Sequence, residues 1–492
     1  MRISEFFQLG RRQPALDFVD VDTLNDVAVY IDPSTIHRLP DQWGEECDRM
    51  LTTFFDSVLD SVKTKDSART RYLLGNLREP NETHLGISKG KSAGRGMGTE
   101  MGTRFAAKLA ESRAAHTGLI EDLEDTAFFI EKVGQDIISD ITTNIIRGPL
   151  IAYTHQMCKF FDISMEEVWS GPTWNTITRE WEDGYVDLPM TEGGKLLLVP
   201  KVIVRRAPHL SRDEYFAHHL APVLEGEELA NPKSRLVKTL KDGQRRVFTK
   251  DLAAHYGTTK PDITNMSLQR PTVFRHYKDV KKSVPPRPLT HEDLSAVVGG
   301  GLPEYQNLLK AVVSTPRGRD AAHLYHHRVE ALLSALLYPS LCMPEMEEEI
   351  HDGRKRIDIS YTNNAASGFF DWLTRHKIVA RYVYVECKNY GGELKNPELD
   401  QISSRFSPLR GNVGLLVCRS FQDKDRFLRR CRDTALDHRG YVLTLDDDDL
   451  RRLVDDVEEA QREPEELEAK PASRLNRDDY PLLRERFKAL TG

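Results

Sequence analysis

Cysteine is scarce and scattered. The chain carries six in 492 residues, at Cys47, Cys158, Cys342, Cys387, Cys418 and Cys431. None forms a C-x-x-C pair, so neither a zinc ribbon nor a disulfide framework is written here, and a reducing compartment is expected. Long apolar runs are missing too: no stretch approaches the ~18 consecutive apolar residues of a membrane span. The opening Met1-Arg-Ile-Ser-Glu-Phe-Phe-Gln8 lacks the apolar segment of a secretory signal. A cytoplasmic protein with no membrane partner is the expectation. Nor is there an excess of positive charge, since 69 Lys and Arg face 76 Asp and Glu, a formal net charge of -7. A global positive field is thereby excluded as the means of attracting nucleic acid, and only local basic patches remain. No internal repeat is present. What is there is a globular composition, 39% hydrophobic and 29% charged, long enough for two or three domains that each bury a core.

Residues 1–280 read as a helix-rich α+β domain with a sensor, regulatory or oligomerisation role. Helical spacing runs over 51–62 and over 121–146, where Phe128, Ile130, Val133, Ile137, Ile138 and Ile141 make an apolar stripe. Residues 196–204 are the clearest strand-like run, broken by Pro200. Lys281-Lys-Ser-Val-Pro-Pro-Arg-Pro288 interrupts all periodicity and marks a linker over 281–300. An α/β domain follows over 301–455. The charged tail 456–492 ends in Leu482, Leu483, Phe487 and Leu490 at helical spacing, suited to docking on the body or on another subunit.

The chemistry is concentrated in two runs of the α/β domain, Arg356-Ile-Asp-Ile-Ser360 and Tyr382-Val-Tyr-Val-Glu-Cys-Lys388. Side chains alternate across a strand. Asp358 therefore sits opposite Ile357, Ile359 and Tyr361, while Glu386 and Lys388 project together, opposite Val383, Val385 and Cys387. On paired strands the two carboxylates meet. Magnesium takes oxygen ligands and commonly only one or two protein carboxylates, leaving its other positions to water and substrate phosphate. Asp358 and Glu386 are a sufficient minimal set. A lysine beside such an ion orients or deprotonates the attacking water, or neutralises charge building on phosphorus, and this role falls to Lys388.

The surrounding pattern supports a single central sheet. His351-Asp-Gly353 is an Asp-Gly turn signal between 346–350 and 355–359, which reads as a hairpin. Upstream, Leu324, Ala331, Leu332, Ala335 and Leu336 recur at helical spacing on a segment that carries Glu330. Downstream, Asn396 and Pro397 open a helix through Phe406 that carries Gln401, with Glu398 and Asp400 in its first turn. A strand over 413–418, a helix over 425–437 and a strand over 441–445 complete an α/β layout.

These residues resemble the PD-(D/E)XK superfamily, the restriction-endonuclease-like nucleases. The resemblance rests on Glu330 on the first helix, Asp358 on the second strand, Glu386-Cys-Lys388 on the third and Gln401 on the next helix. It covers residues 302–450, and Ile357 stands where the name-giving pattern has proline. It implies a restriction-endonuclease-like mixed central sheet with flanking helices. It further implies a divalent metal, Mg²⁺ with Mn²⁺ as substitute, held by Asp358 and Glu386, with Lys388 as the catalytic lysine, Glu330 as an accessory acid and Gln401 as a substrate- or site-positioning group. The implied activity is endonucleolytic hydrolysis of nucleic acid, DNA favoured. A large second half fused to such a core looks like a restriction or antiviral defence effector whose N-terminal half controls cutting. Two other readings fit the same residues: a non-cutting nucleic-acid-binding or assembly protein, and a DNA repair nuclease. One site per chain favours a homo-oligomer, or a partner protein held through the N-terminal half.

Weaker signals stay open between function and surface. Arg354, Arg356 and Arg405 suit phosphate contact or plain solvation. Lys89, Lys91 and Arg95 are interleaved with glycines from Gly86 to Gly102, as a phosphate-cradling loop or an ordinary surface loop. A Walker A loop is excluded, because three residues separate Gly86 from Gly90 where four are needed. Asp136 and Asp140 are a polar helix face or a shared metal pair. His323, His326 and His327 are helix surface or phosphate contacts, with no second ligand pair to complete a zinc site. Asp446 to Asp449 suit the first turn of a helix.

Overall fold

The computed structural model describes residues 1–86, 98–117, 119–284, 287–350, 355–390, 394, 396–461 and 477–492. Two apolar cores organise the chain, one drawing on residues from Ile3 to Val298 together with Tyr338 and Cys342, the other on residues from Tyr305 to Leu490.

In the first core, helix α1 (Gln42–Lys63) buries Met50, Leu51, Phe54, Phe55, Val58, Leu59 and Val62 at the spacing of one helical face. Its cap, Asp41, accepts from the Gly44 amide at 2.6 Å, a contact worth about 1 kcal/mol in comparable helices. The stripe over 121–146 is buried but divided between α2 (Leu123–Phe129) and α3 (Gln135–Ile145). Ile130 is extended, Lys132 is left-handed at φ 62°, and Lys260 Nζ clamps the turn by donating to the carbonyls of Ile130 at 2.9 Å and Val133 at 2.6 Å. Residues 196–204 differ from the expected strand as well. Only Val204–Arg205 forms a strand, paired with Tyr30–Ile31, and Pro200 makes an isolated bridge to Phe18, because Lys201–Ile203 form a tight helical turn after Pro200. The rest of that run hydrogen-bonds irregular segments, Leu197 N to Glu82 O at 2.8 Å among them. Regular strands in this half are two-stranded ribbons.

The expected linker is largely folded. Helix α4 (Pro271–Ser283) runs into it, and α5 (His291–Val298), capped by Thr290, buries Leu294 and Val298 in the first core beside Leu289. Leu294 and Val298, one helical turn apart, anchor the segment that follows the prolines.

The second core surrounds a five-stranded mixed sheet of β1 (Leu341–Ile350), β2 (Lys355–Asn363), β3 (Tyr382–Lys388), β4 (Val413–Cys418) and β5 (Tyr441–Leu445), in that spatial order. β1, β2 and β3 are antiparallel neighbours, and β3, β4 and β5 are parallel. Every residue of β4 is buried, as its unbroken apolar run requires of a strand covered on both faces. Helix α6 (Ala322–Leu337) packs Val329, Leu332, Leu333 and Leu336 into the core that holds Ile359, Tyr361, Val383 and Val385. A short α7 (Gly368–Arg375), which the sequence pattern did not announce, joins β2 to β3.

On the other face lies α8 (Asn396–Ser403). Gly414 lets it approach, since a Cβ there would stand 2.7 Å from Ile402 Cδ1. α9 (Lys424–Leu436), α10 (Asp447–Gln461) and α11 (Pro481–Thr491) complete the unit. α11 docks on its own body, with Leu482, Leu483, Phe487 and Leu490 in the second core. Asp446 and Asp449 open α10 by exchanging amide-to-carboxylate bonds of 2.9 and 3.2 Å. Among the described residues no helix is long and apolar enough to cross a membrane.

The two halves are tied at several points. Thr362 Oγ1 donates to Asp41 Oδ2 at 2.7 Å, the Gln42 amide to the Tyr382 hydroxyl at 3.1 Å, and Arg381 pairs with Glu45 at 2.6 Å. β1 bulges between Cys342 and Glu345, where the Met343 amide donates to Asp17 at 3.0 Å.

Candidate active site

β2 and β3 pair as far as Ile359 opposite Val385, and the next positions along are Asp358 and Glu386. The ladder opens there. Asp358 Oδ2 accepts from the Cys387 amide at 2.8 Å, so a side chain takes the place of a backbone partner. Ile357 leaves the alternation read from the sequence and packs with Tyr384 instead of with Ile359 and Tyr361.

Glu386, at the carboxyl end of β3, is 1% exposed. Lys388 Nζ donates to its Oε1 at 2.7 Å and to Gln401 Oε1 at 3.0 Å, while the Arg405 guanidinium stands 4.0 Å from Oε2. His326 Nε2, from α6, is 3.9 Å from Asp358 Oδ2. Burial, and then the charge of Asp358, pushes the Glu386 carboxyl up to about 7 despite Lys388 and Arg405. Burial holds His326 below its usual range against the pull of Asp358, helped by Lys388 and His323. Two neighbouring carboxyl groups, one of them buried, offer oxygen donors to a hard divalent cation. Among the described residues no three His, Cys, Asp or Glu side chains form a metal-holding group.

Of the five residues expected to carry chemistry, Asp358, Glu386, Lys388 and Gln401 come together. Glu330 does not join them through any hydrogen bond or ion pair. It is 3% exposed, its carboxylate pairs with Arg11 of the first unit and accepts from Ser334 Oγ at 2.7 Å. Arg11 also donates to the His327 carbonyl at 2.8 Å, and the His327 ring stacks on Phe160 with centroids 4.5 Å apart. Burial, with His323 and Arg11 nearby, brings His327 down to about 4. Arg405 is buried beside Glu386 instead of lying on an open helix face. Arg354 and the phosphate-loop residues Lys89, Lys91 and Arg95 lie outside the described residues, as does the side chain of Arg356.

Other groups belong to the site's frame. Asn389, directly after Lys388, donates to the carbonyls of Pro316 at 2.9 Å and Gly318 at 3.0 Å. Arg419 braces the same loop through the Thr315 carbonyl at 2.6 Å and Asn389 Oδ1 at 3.1 Å, and it is itself held by Asp447 at 3.1 Å. Exposed Arg317 and Arg319 are carried on that loop, near the end of β3. No local period links them to Lys388. His326 had a usable signal, lying one helical turn before Glu330.

A family model described as a domain of unknown function (DUF8370) matches residues 8–211, within the first unit and clear of the Asp358–Glu386 site. No curated protein and no solved structure matches the chain.

Proposed function

We propose that this chain is a metal-dependent endonuclease of the PD-(D/E)XK type, using Mg²⁺ or Mn²⁺ to hydrolyse phosphodiester bonds, DNA favoured, as a restriction or antiviral defence effector controlled by its N-terminal half. The observation that carries the reading is the meeting of Asp358, Glu386 and Lys388 where β2 parts from β3, with Gln401 on the lysine. Support comes also from position, since ligands of open α/β sheets gather beyond the carboxyl ends of parallel strands. A bound divalent cation would supply charge stabilisation at the phosphate and a more acidic water.

The chain's own residues do the rest. Asp358 and Glu386 would provide the oxygen ligands that hold such a cation. Lys388, steadied by Gln401 at 3.0 Å, orients the water and offsets charge on the phosphate. Arg317 and Arg319 supply local positive charge that the net balance of the chain lacks. Control by the N-terminal half has a physical route, because Arg11 and Phe160 hold α6, the helix that brings His326 to Asp358.

Incubation with plasmid and Mg²⁺ is the test. Wild type is expected to cut and to stop with chelator, and Asp358→Ala, Glu386→Ala and Lys388→Ala are each expected to lose about a hundredfold or more. Equal cutting by wild type and variants would overturn the assignment. DNA retention without cutting, the same in all four proteins, would establish the binding-protein reading instead.

A further inference from the structure

Helix α6 carries two histidines, one helical turn apart, that the Asp358–Glu386 site does not use. His323 Nε2 and His327 Nε2 stand 3.2 Å apart while their ring centroids are 4.3 Å apart, so the rings converge on their Nε2 ends. Residues at this spacing share one helix face. Two nitrogens that each lie about 2.0–2.1 Å from one ion, at a tetrahedral angle, are roughly 3.3–3.4 Å from each other. The pair already has nearly that span.

Its surroundings suit a pair of ligands. Phe160 stacks on the His327 ring at 4.5 Å between centroids and fixes its orientation, as supporting groups do for metal-binding imidazoles. Burial, with His323 and Arg11 nearby, holds His327 far below its usual range and therefore neutral at physiological pH, the state in which an imidazole nitrogen can ligate. The Arg11 charge is matched by Glu330, so it does not face an incoming cation unopposed. His323 is exposed, which leaves the pair open to solvent.

The helix also has a use for a cross-link at this place. Ala321 opens α6 without any side-chain capping bond, and the opening turns carry His326, whose Nε2 is 3.9 Å from Asp358 Oδ2.

We infer that His323 and His327 together chelate a transition-metal ion of the Zn²⁺, Ni²⁺ or Cu²⁺ kind, which staples the opening turns of α6. Imidazole nitrogen suits these ions, whereas Mg²⁺ takes oxygen, so the site differs in metal class from the two carboxylates. The ion replaces the single hydrogen bond that the two neutral rings can share. Two protein ligands leave the other positions to water, as befits a reversible site and not a closed structural one. None of this rests on the nuclease reading.

Equilibrium dialysis of the full chain against micromolar Zn²⁺ tests it, with millimolar Mg²⁺ present to supply the carboxylate pair. Wild type is expected to take up a Zn²⁺ ion whose binding His323→Ala and His327→Ala each weaken at least tenfold, and Asp358→Ala is expected to bind it as wild type does. His323→Ala alters an exposed side chain, so it serves should His327→Ala fold poorly. Zn²⁺ is expected to raise the melting temperature of wild type and of Asp358→Ala but not of His323→Ala, and in wild type to slow amide exchange at residues 325–327. Cu²⁺ is expected to bind more tightly than Zn²⁺ or Ni²⁺. Uptake unchanged in both histidine variants, uptake lost in Asp358→Ala but kept in His323→Ala, or no Zn²⁺ held by wild type at submillimolar concentration would each overturn the inference.

Discussion

Glu386 concentrates the energetics of the candidate site in one side chain. Its carboxyl is pushed from 4.5 in the open chain up to about 7 in the fold, by burial and then by Asp358. The folded state thus binds this proton more tightly than the unfolded state does. The group's contribution to stability is complete below the unfolded value and is lost as pH rises through about 7. With chelator present, Glu386→Gln is therefore expected to be more stable than wild type at pH 8, by about 1–3 kcal/mol, and equal to it near pH 4.5, as urea denaturation at the two pH values would read. A wild type more stable than the variant at pH 8 would show that the two carboxylates do not repel as described. Glu330 makes a different point. Its residue type and helical setting suited an accessory acid, yet its partner, Arg11, lies 319 residues away in the chain, and no spacing rule reaches that far.

At the scale of elements, α6 is the member shared by both halves. Its apolar face serves the second core, while Glu330 and His327 are held by Arg11 and Phe160 of the first unit. Both members of the Arg11–Glu330 pair are largely buried, with side chains 11% and 4% exposed. Removing the cation strands a carboxylate. Arg11→Ala is expected to destabilise the chain by about 3–5 kcal/mol in chemical denaturation, and adding Glu330→Gln is expected to restore most of that loss. Additive losses in the double variant would mean that the pair is not coupled. Strand elements were the most legible part of the chain. The bounds of β4 and β5 match their apolar runs, which at six and five residues are of strand length and too short for a buried helix. The same signal misled at 196–204, where Pro200 and a local helical turn removed the ladder partner that a strand needs.

For the whole molecule, all six cysteines are buried, and all but Cys158 belong to one of the two cores. Burial pushes their thiols up, Cys158 and Cys431 to about 12. Native protein is expected to show no fast-reacting thiol towards Ellman's reagent at pH 8, and unfolded protein all six. A rapidly labelled fraction in the native state would reveal local opening of a core. The sequence by itself determined what depends on neighbours within a few residues: the alternation that sets Glu386 and Lys388 on one face, the helix that presents Gln401, the acid turn that opens α10, and the apolar stripes of both halves. Tertiary structure alone decided that Asp358 would accept the Cys387 amide, that Glu386 would be buried beside it, and that the segment after the prolines would fold into the first core. Local periodicity encodes which face is apolar. It carries no record of which distant surface that face will meet, and pairing, burial and charge coupling are all properties of that meeting.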